Sequence, residues 1–131
     1  ARREARLGTA GPKAHGIKAV TTKNSMSAAR DVVEQIRLSE HVTRYVVNLV
    51  RGTQDNPLFE TGTSPRAAAM LAAASRGYAA LDGRDYVLPD DVKAIALDVL
   101  RHRISLTYEA QAEGLTADIL LQTLLHQLDV P

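Results

Sequence analysis

A chain of 131 residues, 45% hydrophobic and 24% charged, is long enough for one small domain with a modest core. A net charge of +1 leaves no strong field for nucleic acid or a membrane surface, and 4% aromatic content without Trp argues against a base-stacking platform. The lack of Cys excludes disulfides, thiol catalysis and Cys-based zinc sites, and it fits a reducing compartment.

The first stretch, ARREARLGTAGPKAHGIKAVTTKNS, mixes Gly, Pro and basic residues without a sustained period. It reads as an irregular arm over 1–25 with solvated cations and a short extended piece at Ile17–Val20. The start at Ala1 rather than Met suggests a piece of a longer protein. No signal peptide is visible, and no apolar run approaches the ~20 residues that span a bilayer.

Residues 26–131 read as helical throughout, an all-α bundle of about five helices. Ser25 or Ser27 caps a short helix through Ile36, with Val32, Val33 and Ile36 on one side. Ser39 caps a second, where Val42, Tyr45, Val46, Leu49 and Val50 recur at helical spacing. That helix is expected to stop near Gly52, and TQDNPLFETGT follows as a loop. The third begins at Ser64–Pro65, with Ala67, Met70, Leu71, Ala74, Tyr78 and Leu81 as its expected buried stripe and Gly83 as its end. The fourth opens at Pro89 and turns Val92, Ile95, Ala96, Val99 and Leu100 to the core, with Asp90 and Asp91 suiting its dipole. RHRISLTYEAQAEG reads as a loop, extended in part at Ile104–Thr107. Thr116 caps the last helix, which carries Leu120, Leu121, Leu124, Leu125 and Leu128.

Catalytic signatures are missing. There is no GxxxxGK[ST] phosphate loop, no GxGxxG and no GxSxG. His15, His41, His102 and His126 are scattered, so no metal site is expected. Arg101, His102 and Arg103 form a basic cluster at a helix end, where positive charge offsets the dipole.

Arg66 is the anomaly. A helix's first turn carries partial positive charge and favours Asp or Glu, yet the third helix places a cation there. Either Arg66 points to solvent at a cost of a few tenths of a kcal/mol, or it joins free backbone N–H groups in binding a phosphate. An Arg–phosphate contact contributes roughly 1.5–3 kcal/mol, which outweighs the dipole cost. The rest of a nucleotide site is absent from the chain, so another domain would have to hold that phosphate.

The segment GTSPRAAAMLAAASRGYAALDGRDYVLPDDVKAIALDVLRHRISL resembles the C-terminal helical lid of the MoxR family of AAA+ ATPases. IRLSEHVTRYVVNLVRGTQ and EGLTADILLQTLLHQLDVP extend the resemblance over about 30–131. The ordered set G-x-SPRA, GRDYV-x-PDDV and LRHR makes it specific; Leu88 departs from the usual Thr or Ser cap before PDDV. The resemblance implies a cytoplasmic lid lacking the Walker motifs and inactive alone, with an α/β core of the same polypeptide holding ATP and Mg. Arg66 would be the sensor 2 residue, acting catalytically on the phosphates and placed by Ser64 and Pro65, and Tyr45 would approach the base. Partners would be that core, neighbouring subunits of a homo-oligomeric ring and von Willebrand A-domain proteins, in chaperone-like maturation of client complexes. Alternatives are the lid of a magnesium-chelatase-type subunit, a free-standing helical adaptor, and a helical DNA-binding domain, which the near-neutral charge disfavours.

Overall fold

The computed structural model describes residues 15–131. The part of the expected arm at 1–14, with its cations, lies outside the described residues. The chain divides into two units, Ala1–Arg30 and Asp31–Pro131. In the first, Ile17–Val20 has no regular structure and Ile17 and Val20 are exposed. Helix α1 (Lys23–Glu34) starts two residues before the earlier expected cap. Thr22 supplies the cap, its hydroxyl accepting the Ser25 N–H at 3.1 Å.

In the second unit the order is α2 (Glu40–Asp55), β1 (Phe59–Thr61), α3 (Pro65–Leu81), α4 (Pro89–Leu100), a 3-10 turn (Arg101–Arg103), β2 (Ser105–Leu106), α5 (Tyr108–Ala112) and α6 (Ala117–Gln127). The described residues thus hold six α-helices, one more than expected, because the 101–114 segment folds into its own turn, strand and short helix. β1 and β2 pair antiparallel, Phe59 opposite Leu106 and Thr61 opposite Ser105. The extended piece expected at Ile104–Thr107 is present as β2, whereas β1 lies inside the segment expected to be a loop, and their pairing is a tertiary event with no sequence pattern to announce it. No described helix is long and apolar enough to cross a membrane.

Ser39 caps α2 as expected, accepting the Val42 N–H at 3.2 Å. The helix turns Val42, Tyr45, Val46, Leu49 and Val50 inward. It does not stop at Gly52 but runs to Asp55. A Cβ at Gly52 would sit 3.3 Å from Leu124, so the bare position lets α6 approach closely. Thr116 caps α6, whose Leu120, Leu121, Leu124 and Leu125 close the core from the other side. In α1, Val32 is exposed and Val33 half-buried; Ile36, just past the helix, enters the core.

Helix α3 departs most from expectation. Its buried residues are Ala67, Leu71, Ser75 and Ala79. Met70 and Tyr78 are 39% and 42% exposed, and Leu81 is 90% exposed. The Ala-rich sequence offers apolar residues on more than one side, so periodicity alone could not choose the face. α4 covers one side, and among the described residues the side of Met70 and Leu81 is left exposed.

A buried ion pair closes the α3–α4 turn. Arg84 grips Asp91 with two N–H donors, at 2.6 and 2.8 Å, and Asp91 also accepts the Leu88 N–H at 2.7 Å. Leu88 is the N-cap residue of α4 and has no capping side chain, so Asp91 supplies the cap from within the helix. Arg37 pairs with the same turn through its backbone, its N–H to Asp85 O and its carbonyl to Val87 N–H, both at 2.9 Å.

The Arg84 guanidinium holds the Asp91 carboxyl below its ordinary value of 3.8, helped by the Leu88 N–H and opposed by burial. The unfolded chain therefore binds this proton more readily than the folded one. The stabilisation is complete above that ordinary value and is lost as pH falls through the folded-state value. Acid unfolding followed by circular dichroism should show stability falling below about pH 4. Asp91→Asn should be less stable at neutral pH and have a shallower acid slope; an unchanged slope contradicts the assignment.

Candidate functional site

The head of α3 is where an exposed cation meets free helix N–H groups. Ser64 is the N-cap residue, with extended backbone angles of φ −76° and ψ 162°. Its hydroxyl makes no cap hydrogen bond, contrary to expectation; its carbonyl accepts the Ala67 N–H at 2.8 Å. Pro65 follows at the first helical position, with no N–H to satisfy. Arg66 comes next and is exposed, in a first turn without any acidic residue. Among the described residues no carboxylate pairs with Arg66, whereas Arg44 has one such partner and Arg84 and Arg101 have two each. This end of the helix can take an anion by chemistry: positive dipole end, uncapped hydroxyl and unpaired guanidinium together.

The loop before it is pressed against α2. Thr53 and Thr63 are buried and their hydroxyls lie 2.8 Å apart. A Cβ on Gly62 would fall 2.5 Å from the Thr53 carbonyl oxygen, so only glycine fits there. Gly62 reads from sequence as a chain breaker, but its contact with α2 has no sequence signal. Thr53 and Gln54 fall in the segment that extends the family resemblance, but nothing in their spacing announces this contact.

Tyr45 is placed elsewhere. It is 2% exposed on the inward face of α2, and its hydroxyl has no hydrogen-bond partner. Burial pushes its pKa up and Asp90 adds to the shift. It borders a cavity of ≈ 230 Å³ with His41, Arg44, Asn48 and the 129–131 tail. A wider groove of ≈ 630 Å³ adjoins it along the 37–39 turn, His41, Val42 and the 86–89 segment. Ser64, Pro65 and Arg66 are brought together at the head of α3; Tyr45 is not among them and lies on α2, eight residues before Thr53, a rise of about 12 Å along that helix.

The basic cluster is structural in its contacts. Arg101 reaches Asp118 of α6 at 3.0 Å, and Arg103 donates to the Val99 carbonyl at 3.1 Å, closing the end of α4.

A family model described as the AAA lid domain matches residues 51–124. The protein YeaC of Bacillus subtilis, itself uncharacterized, is 33% identical over 91% of this chain and 38% of its own length. Chaperone MoxR1 of Mycobacterium tuberculosis is 44% identical over 53% of this chain and 19% of its own. A crystal structure from Cytophaga hutchinsonii, described as a candidate ATPase, superposes with a TM-score of 0.80 at 31% identity, over 88% of this chain and 38% of that one. The chain therefore spans well under half the length of these relatives. The match takes in the whole α3–α4 unit, with SPRA at its head and the Arg84–Asp91 pair at its turn. The chain belongs to the AAA lid domain family, as a lid of the MoxR kind.

Proposed function

We propose that this chain is the sensor 2 lid of a MoxR-like AAA+ ATPase, in which Arg66 binds phosphate oxygens of ATP held with Mg by an α/β core of the same polypeptide. The observation that carries this reading is the exposed, unpaired Arg66 in an acid-free first turn. Without an anion, that placement costs a few tenths of a kcal/mol. With one, it contributes roughly 1.5–3 kcal/mol. Ser64 and Pro65 set the chain direction at this point. ATP supplies the phosphate charge, and Arg66 and the α3 N–H groups supply its counter-field.

The face of α3 supports the same reading. Arg66, Met70, Ala73, Gly77 and Leu81 recur at intervals of three and four, so they share one side of the helix. Four of the five are exposed, Gly77 has open space where a Cβ would be, and Arg66 alone is charged. An apolar stripe of this kind is a packing surface, and the cation at its end would meet an anion on the body packed there.

Tyr45 takes the base end in this account. Its hydroxyl has no hydrogen-bond partner among the described residues, which leaves it a polar group to offer a ligand. The lid would occupy 26–131, with 1–25 as the arm. Different phosphate states would change the Arg66 contact and hence the lid angle, and a cytoplasmic ring of such subunits would turn that into remodelling of client complexes, with von Willebrand A-domain proteins as partners.

In the ATPase that carries this lid, Arg66→Ala should lower ATP turnover about 10- to 100-fold, the loss of one charge-assisted contact. The lid's melting temperature should not change; normal turnover would remove Arg66 from the site. Leu81→Glu should leave the stability of this chain within about 0.5 kcal/mol in urea titrations, while weakening lid–core packing measured by limited proteolysis of the whole ATPase. Loss of stability in the chain alone would show that Leu81 packs internally.

A further inference from the structure

We propose that Thr53, in the last turn of α2, is a positioning residue for Arg66, acting through Thr63. The inference rests on the phosphate reading of Arg66 and deepens it.

A threonine hydroxyl can donate once and accept twice. Thr53 uses all three capacities. It donates to the Val50 carbonyl at 2.7 Å, accepts the Thr63 N–H at 3.0 Å, and takes the Thr63 hydroxyl at 2.8 Å. Both residues are essentially without solvent exposure, 0% and 1%. Gln54 adds a third tie, its side-chain amide donating to the Thr63 carbonyl. Every polar group of Thr63 thus ends on the last turn of α2. Gly62 allows this by presenting no Cβ where one would collide with the Thr53 carbonyl and the Gln54 backbone.

Arg66 lies three residues beyond Thr63. Between them stand Ser64, whose hydroxyl does not hold the helix head, and Pro65, whose ring fixes its own φ. The polar ties at Thr63 therefore decide where the first turn of α3 sits on α2. The head of α3 cannot slide along α2 without leaving a saturated, buried hydroxyl pair unpaired. Because Tyr45 is on the same helix, Thr53 also sets the span between the two ends of the proposed nucleotide site.

A purely structural role would lower stability without acting through Arg66. The test is a double-mutant cycle on kcat and KM for ATP in the whole ATPase, below the melting transition of every variant. Thr53→Val should lower kcat about tenfold, as misplacement of a binding group does. Thr53→Ser, which restores the hydroxyl, should return kcat to within about twofold. Thr53→Val combined with Arg66→Ala should be no slower than Arg66→Ala alone. Gln54→Ala, at an exposed residue, should give a smaller loss that also vanishes in the Arg66→Ala background; it serves if Thr53→Val does not fold. Unchanged kcat in both Thr53→Val and Gln54→Ala, equal losses with and without Arg66, or failure of Ser to restore would overturn the proposal. Normal turnover of Arg66→Ala alone is a distinct result, which removes the phosphate reading and this inference with it.

Discussion

The carboxylate of Asp91 is 3% exposed and accepts three N–H groups, two from Arg84 and one from Leu88. Burial of that carboxylate is tolerable because each of its oxygens accepts at least one N–H, so removing Arg84 would leave a buried charge without its ion-pair partner. Its consequence is architectural. The turn between α3 and α4 is fixed, and Arg37 is fixed to that turn by two backbone hydrogen bonds. The entry to α2, the tail of α3 and the head of α4 are therefore held at one place. At the other end of α3, Thr53 and Thr63 do the same work with neutral hydroxyls. Helix α3 is strung between two buried polar ties.

That arrangement explains how a helix can keep one apolar side bare. Ala67, Leu71, Ser75 and Ala79 pack inward, and the ties at both ends fix the rotation of the helix about its axis. The side carrying Arg66, Met70 and Leu81 is then left exposed among the described residues. A rigid helix with an apolar flank and a cation at its positive dipole end suits a surface that docks beside a bound phosphate. The small side chains of α3 let α4 lie close on one side and leave a smooth face on the other.

The helices themselves were readable because their stripes are strong and their caps are local. Ser39 and Thr116 act within their own first turns, and Val42, Tyr45, Val46, Leu49 and Val50 have one orientation that buries them all. What could not be read depended on contacts between segments distant in sequence. Gly52 looks like a stop until α6 is seen beside it. The strand pair of Phe59 and Leu106 joins a piece readable as extended, Ile104–Thr107, to one that reads as loop, and the pairing itself left no pattern. The face of α3 was ambiguous because Ala suits both core and surface. Asp91 was readable as a helix-start residue but not as the partner of Arg84, seven positions away. In the candidate site, Arg66 stood out as a charge in the wrong turn, and the SPRA context carried its proposed role. Thr53, Thr63 and Gln54 lie within the segments that carry the resemblance, but their mutual contact gave no sign, since a threonine pair ten residues apart looks like any other.

The central claim is that Arg66 meets a phosphate held by another body. A structure of the whole protein that carries this lid, with a non-hydrolysable ATP analogue, measures this directly. The account predicts an Arg66 guanidinium nitrogen within about 3 Å of a phosphate oxygen, with the Met70 and Leu81 side of α3 covered. A bound nucleotide with Arg66 left in solvent, and that side of α3 still bare, would contradict it.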